Sequence, residues 1–165
     1  MTEPKKLIAS AGPHDDPAVW GPRLSRMLAR QCELFCELDG LGEPQRELIG
    51  AGDTDGLLRL LAQRQALVDE VTRLSNEIEP FRRQWDELMS RLPDGPRAEL
   101  EHCVLELRGL VDRVCKRDDA DRATLEDRRS AITTELSGVS RGRGAVAAYT
   151  GGVAGGGAMY QDRQG

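Results

Sequence analysis

Residues 51–74, "AGDTDGLLRLLAQRQALVDEVTRL", decide the fold of this 165-residue chain. Gly52 suits the left-handed residue that closes a helix, because glycine takes that conformation without a Cβ clash. Asp53 follows as an N-cap, and Asp55 places a carboxylate in the positive first turn of the next helix. From there Leu57, Leu60, Arg64, Leu67, Val71, Leu74, Ile78, Phe81, Trp85, Leu88 and Leu92 alternate in steps of three and four. Such a run, with Arg64 its one polar member, is the seam of a coiled-coil helix over 53–92. Pro80 lies inside it. The seam keeps its phase across the proline, so the spacing predicts a kink there and not a break.

Working towards the N-terminus, Met27, Leu34, Leu41 and Leu48 recur every seven residues, flanked by Leu24, Leu28, Phe35, Leu38 and Ile49. This is a second helical segment, about 22–50. Gly40, Gly42 and Pro44 together cost a helix roughly 5 kcal/mol, so the segment is expected in two pieces or sharply kinked. Before it, residues 1–21 carry Pro4, Pro13 and Pro17 and no sustained period, and read as a flexible arm.

Towards the C-terminus, "LPDGP" (92–96) is a turn, with Pro96 at a helix start. A third segment, about 97–138, carries Leu100, Val104, Leu107, Val111 and Val114. Its pattern lapses over "CKRDDADRA" (115–123) and resumes with Leu125, Ile132, Leu136 and Val139. The charges of the lapse read as a solvated face. Residues 139–165 are glycine-rich, with "TGGVAGGGAMY" at 150–160, and read as a flexible tail because ordering such a segment costs too much entropy. "GGVAGGG" is not a nucleotide fingerprint, since no strand precedes it and no helix pattern follows.

The expected fold is therefore all-α: an elongated antiparallel three-helix bundle, or helical hairpin, with coiled-coil packing and disordered ends. Helix lengths refine this. At 1.5 Å per residue the 53–92 helix is about 60 Å long, and a helix folded back from Arg97 draws level with its start near residue 136. Beyond that, an overhang is expected. At the other end Phe81, Trp85, Leu88, Met89 and Leu100 stand short of cover, unless Trp20 and the arm supply it.

Composition excludes several functions. The net charge is −5 and no basic face stands out, which argues against nucleic-acid binding. No apolar run is long enough for stable membrane insertion. The N-terminal apolar stretch is too short for a signal peptide, so a cytoplasmic location is expected, where four cysteines stay reduced. Cys32, Cys36, Cys103 and Cys115 lack a CxxC pair and sit beside seam positions, where small half-buried residues are ordinary, so no metal site is expected. His102 stands on an amphipathic helix, as in histidine phosphotransfer modules, but Leu105 and Glu106 occupy the places where those carry lysine and glycine. With His14 the only other histidine, no catalytic constellation and no cofactor site emerges. The chain is expected to act by binding and not as an enzyme.

"AGDTDGLLRLLAQRQALVDEVTRLSNEI" (51–78) resembles the "AGD-x-x-x-L-x-x-L-x-x-x-R-x-x-L" helix of the FlgN-like flagellar export chaperones. "CELFCELDGLGEPQRELIGAGD" (32–53) is similar to that family's first helix running into the same turn, and "DRATLEDRRSAITTEL" (121–136) to its last. The resemblance implies a cytosolic chaperone that binds hook-associated subunits of the hook–filament junction. It hands them to the flagellar type III export apparatus, at the export gate or the ATPase complex. It implies that the end of the last helix and the tail form the partner-binding region. Leu125, Ile132, Leu136 and Val139 would lie against an amphipathic helix of the partner, and Tyr149 would dock at the export platform. The competing expectation is a non-enzymatic structural coiled-coil protein, a homodimer joined through the Leu57–Leu92 stripe.

Overall fold

The computed structural model describes residues 11–153, with side chains to residue 148. Five helices follow one another: α1 (Pro17–Gly40), α2 (Gly42–Ala51), α3 (Thr54–Arg83), α4 (Trp85–Ser90) and α5 (Asp94–Val153). No strand occurs among the described residues. The chain is an all-α helical bundle. Packing divides it into two units, one ending at Asp121 and the other beginning at Arg122.

The 51–56 turn forms as its residues dictate. Gly52 adopts φ 70° and ψ 20°, the left-handed conformation. The Asp53 N–H donates to the Leu48 carbonyl at 3.1 Å, closing α2. Asp53 Oδ1 then accepts from the Gly56 N–H at 2.8 Å, opening α3. A Cβ on Gly56 would stand 2.4 Å from Asp53 Oδ2 and 2.7 Å from a Leu48 methyl, so only glycine fits beneath the cap.

The segment expected at 22–50 is two helices. The interruption is the single residue Leu41, and Pro44 falls in the first turn of α2, where its missing N–H breaks no helical bond. Gly42 lets the Arg117 side chain cross the joint: a Cβ there would lie 2.9 Å from its Nη1.

The helix runs unbroken through Pro80, as expected, and a one-residue interruption comes four positions on. Pro80 sits within α3, and the chain steps at Gln84, with φ −118° and ψ 24°. The Gln84 N–H donates to Phe81, one residue short of an α-helical bond, and α4 resumes with Leu88 N–H on the Gln84 carbonyl at 2.9 Å. The seam survives. Leu60, Arg64, Leu74, Ile78, Phe81, Leu88 and Leu92 are buried within their own chain. Leu57, Leu67, Val71 and Trp85 are half-buried, so most of the Leu57–Leu92 stripe is used within the chain.

The arm expected over 1–21 needs correction. Asp16 caps α1, accepting from the Ala18 N–H at 2.9 Å, and Pro17 takes the first helical position. Arg91 donates to the Pro13 carbonyl at 3.0 Å and the Asp15 carbonyl at 2.9 Å, and Arg23 bonds the Ala11 carbonyl. Trp20 is fully buried, its ring 6.0 Å from that of Phe81. This end of the bundle is closed: Phe81, Leu88, Met89 and Leu100 join Trp20 in the core, with Trp85 half-buried beside them. Residues 1–10 lie outside the described residues.

The charges at 115–123 are only partly the solvated face expected: Lys116, Asp119 and Arg122 are exposed, whereas Arg117 and Asp118 are half-buried and Asp121 is buried. Arg64, buried in the seam, donates through Nη2 to both Asp118 oxygens at 2.7 Å, and its Nη1 lies 3.4 Å from the Leu38 carbonyl. Asp121 is buried and accepts from Gln45 Nε2 at 2.7 Å, with Arg46 Nε 3.6 Å away. Arg117 donates to the Asp39 carbonyl at 3.0 Å. The lapse in apolar pattern is where α5 is joined by polar groups to α1, α2 and α3.

Replacing Arg64 by leucine removes the Asp118 donor, while the Leu38 carbonyl keeps the Leu41 N–H at 3.2 Å. Asp118 keeps some contact with water, so the expected loss is about 2 kcal/mol, towards the low end for breaking a buried ion pair. The double variant Arg64→Leu/Asp118→Leu is expected to recover part of it. Urea unfolding of the three proteins reads the difference.

Candidate interaction face on α5

Every residue of α5 from Arg122 to Ala148 is exposed. Within that stretch the large apolar side chains keep a helical row: Leu125, Ile132, Val139 and Val146 fall every seven residues, and Leu136 lies on the same face. Their exposures are 40%, 57%, 54%, 64% and, for Leu136, 65%. Val104 and Val111 stand on the same seven-residue repeat upstream and are half-buried. One helical face is thus covered as far as Asp121 and bare after it. Single exposed leucines need no explanation, but five on one stripe of one helix do.

Burial on α5 stops earlier than helix lengths alone suggested, at Asp121 rather than near residue 136. The helix also continues through 139–153, where the glycine content read as tail. Tyr149 lies in α5 by its backbone, and its side chain falls outside the described residues. Residues 154–165 also lie outside them.

The four apolar residues singled out from sequence are brought onto one face. Sequence reading missed Val146, although it falls seven residues after Val139. It also missed the charge of this stretch. Residues 122–148 hold Arg122, Arg128, Arg129, Arg141 and Arg143 against Glu126, Asp127 and Glu135, so they are net positive in a chain of charge −5. A whole-chain sum conceals this.

Gly138, Gly142 and Gly144 weaken the helix beneath the row, each by about 1 kcal/mol relative to alanine. No atom lies within 4 Å of a Cβ built on any of them. Changing all three to alanine is expected to raise helical content, measured by far-UV circular dichroism. Unchanged helicity would show that propensity does not limit this segment.

Other candidates offer less. A groove of about 1060 Å³ opens between α1, α3 and α5, walled by Leu28, Phe35, Ile78, Val104 and Leu107. Its Gln31 and Ser75 bond each other at 2.8 Å, so neither is turned to a ligand. Cys32 and Cys103 are half-buried, with the Cys32 thiol 3.8 Å from the Cys103 carbonyl, while Cys36 and Cys115 are exposed. Burial pushes the Cys32 thiol above its ordinary range, with neighbouring Cys103 adding to the effect, which disfavours the nucleophilic thiolate. Exposed His102 pairs with Glu106 on its own helix at 3.3 Å. No cluster of three or more His, Cys, Asp or Glu able to hold a metal occurs among the described residues. Nor is any helix there long and apolar enough to cross a membrane.

Compared with known protein families, characterised proteins and solved structures, the chain matches none.

Proposed function

We propose that this protein is a cytoplasmic chaperone of flagellar type III export. It holds a hook-associated subunit of the hook–filament junction on the bare face of α5 and passes it to the export gate or ATPase complex. The observation that carries the reading is the row Leu125, Ile132, Leu136, Val139, exposed on a helix whose upstream face is used for packing. An amphipathic helix of the subunit would cover the row, removing apolar surface from water on both partners. The sequence likeness around the Gly52–Asp53 turn supplies the family, and Tyr149 is the proposed contact for the export platform.

A titration calorimeter tests it. The full chain is expected to bind a junction subunit as a one-to-one complex, and to lose that binding when Ile132 and Leu136 become glutamate. No heat with any junction subunit would remove the reading.

A structural homodimer remains as a second reading on one observation. Leu58, Leu61 and Val68 form an exposed stripe on α3, away from the buried seam. Sedimentation equilibrium decides it: a monomer at micromolar concentration removes this alternative.

A further inference from the structure

The α5 face is more than apolar. Beside the row from Leu125 to Val146 runs a parallel row, also every seven residues: Arg122, Arg129, Leu136, Arg143. On an α-helix these two rows are adjacent, so three guanidinium groups flank one edge of the bare stripe. The stretch 122–148 is net positive although the chain as a whole carries −5. A second copy of this chain suits such a face poorly. Laid either way along this face, it would bring one net-positive stretch against another.

We propose that the occupant of this face is an amphipathic helix of a different protein, carrying carboxylates along one edge of its apolar stripe, two heptads apart with an apolar residue midway. The carboxylates would meet Arg129 and Arg143, and an apolar side chain between them would meet Leu136. Arginine suits the task, because its planar fork bonds a carboxylate through two donors. The apolar row supplies affinity, and the arginine row sets partner choice and the register of the two helices. This names the chemistry of the partner segment and rests on the reading of α5 as the docking helix.

The test uses the full-length chain and two synthetic helical peptides with the same leucine stripe, one edged with glutamate and the other with lysine. Calorimetry at low salt is expected to show the glutamate peptide binding about tenfold more tightly, a gap that closes at high salt. The variant Arg129→Glu/Arg143→Glu, changed only at exposed positions, is expected to fold normally and reverse the preference. Equal affinities, a tighter lysine peptide, or no binding by either overturns the proposal. So does a dimer of the wild-type chain that Ile132→Glu converts to monomer, since the face would then belong to a second copy. If a junction subunit binds α5 without salt dependence, the charge inference fails and the export reading stands. If the glutamate peptide binds and no junction subunit does, the export reading fails and this inference stands.

Discussion

Trp20→Ala is expected to destabilise the bundle by about 4 kcal/mol, in the range for deleting a fully buried aromatic side chain. For a chain of this size that is a fall in melting temperature of about 12 °C, read by scanning calorimetry. Two effects combine. The indole stacks obliquely on Phe81, and Arg23 lies over the same Phe81 ring, its guanidinium carbon 6.0 Å from the centroid. Removing the indole leaves a cavity that this clamped end cannot collapse to fill, because Arg91 and Arg23 hold the chain at Ala11–Asp15. Trp20→Phe should cost much less. It keeps an aromatic ring and removes a buried Nε1–H that has no acceptor among the described residues. If Trp20→Ala changes the melting temperature by less than about 3 °C, Trp20 is not the plug of this end.

Ile132→Glu/Leu136→Glu is expected to weaken binding of a junction subunit at least about a hundredfold while leaving the bundle's melting temperature unchanged. Covering a large aliphatic side chain gives about 1.5–3 kcal/mol, so losing two such contacts removes about 3 kcal/mol or more. A carboxylate forced into an apolar interface adds to that loss. The contrast between the two readouts is the point. Both side chains are more than half exposed in the free protein, so glutamate there costs the folded chain almost nothing. Unchanged affinity would place the docking surface elsewhere, and a lowered melting temperature would mean the row is covered within the chain itself. Ile132→Val/Leu136→Met keeps the row apolar and should bind almost normally.

These expectations depend on features that differed in how openly the sequence shows them. The Gly52–Asp53 turn and the α3 seam were fully legible, because each is a local device: one residue that tolerates positive φ, one carboxylate cap and an unbroken apolar period. The step at Gln84 was not, since Pro80 marks a weak helix without saying which following residue absorbs the change. The ordering of residues 11–21 was missed because prolines were weighed as breakers. Asp16 before Pro17 is in fact a helix-start signature, and Trp20 is a side chain too large to leave in water. Asp118 and Asp121 were taken for surface charges because a carboxylate reveals burial only when its partner is known, and Gln45, Arg46 and Arg64 are distant in sequence. Asp118 does sit on the seven-residue repeat with Val111 and Leu125, which was the available signal. The length of α5 was missed for a different reason: glycine propensity argued locally against a helix that the repeat, running on to Val146, argued for.

The placing of the aromatic residues has a practical consequence. Both tryptophans lie in the bundle, Trp20 in α1 and Trp85 in α4, and no aromatic residue falls between 122 and 148. Indole emission therefore reports on melting of the bundle and is blind to the terminal helix, whereas backbone ellipticity counts both. Recorded on one sample, the two signals separate fraying of the terminal helix from collapse of the bundle. A guest with a tryptophan of its own would light up a face that is otherwise dark.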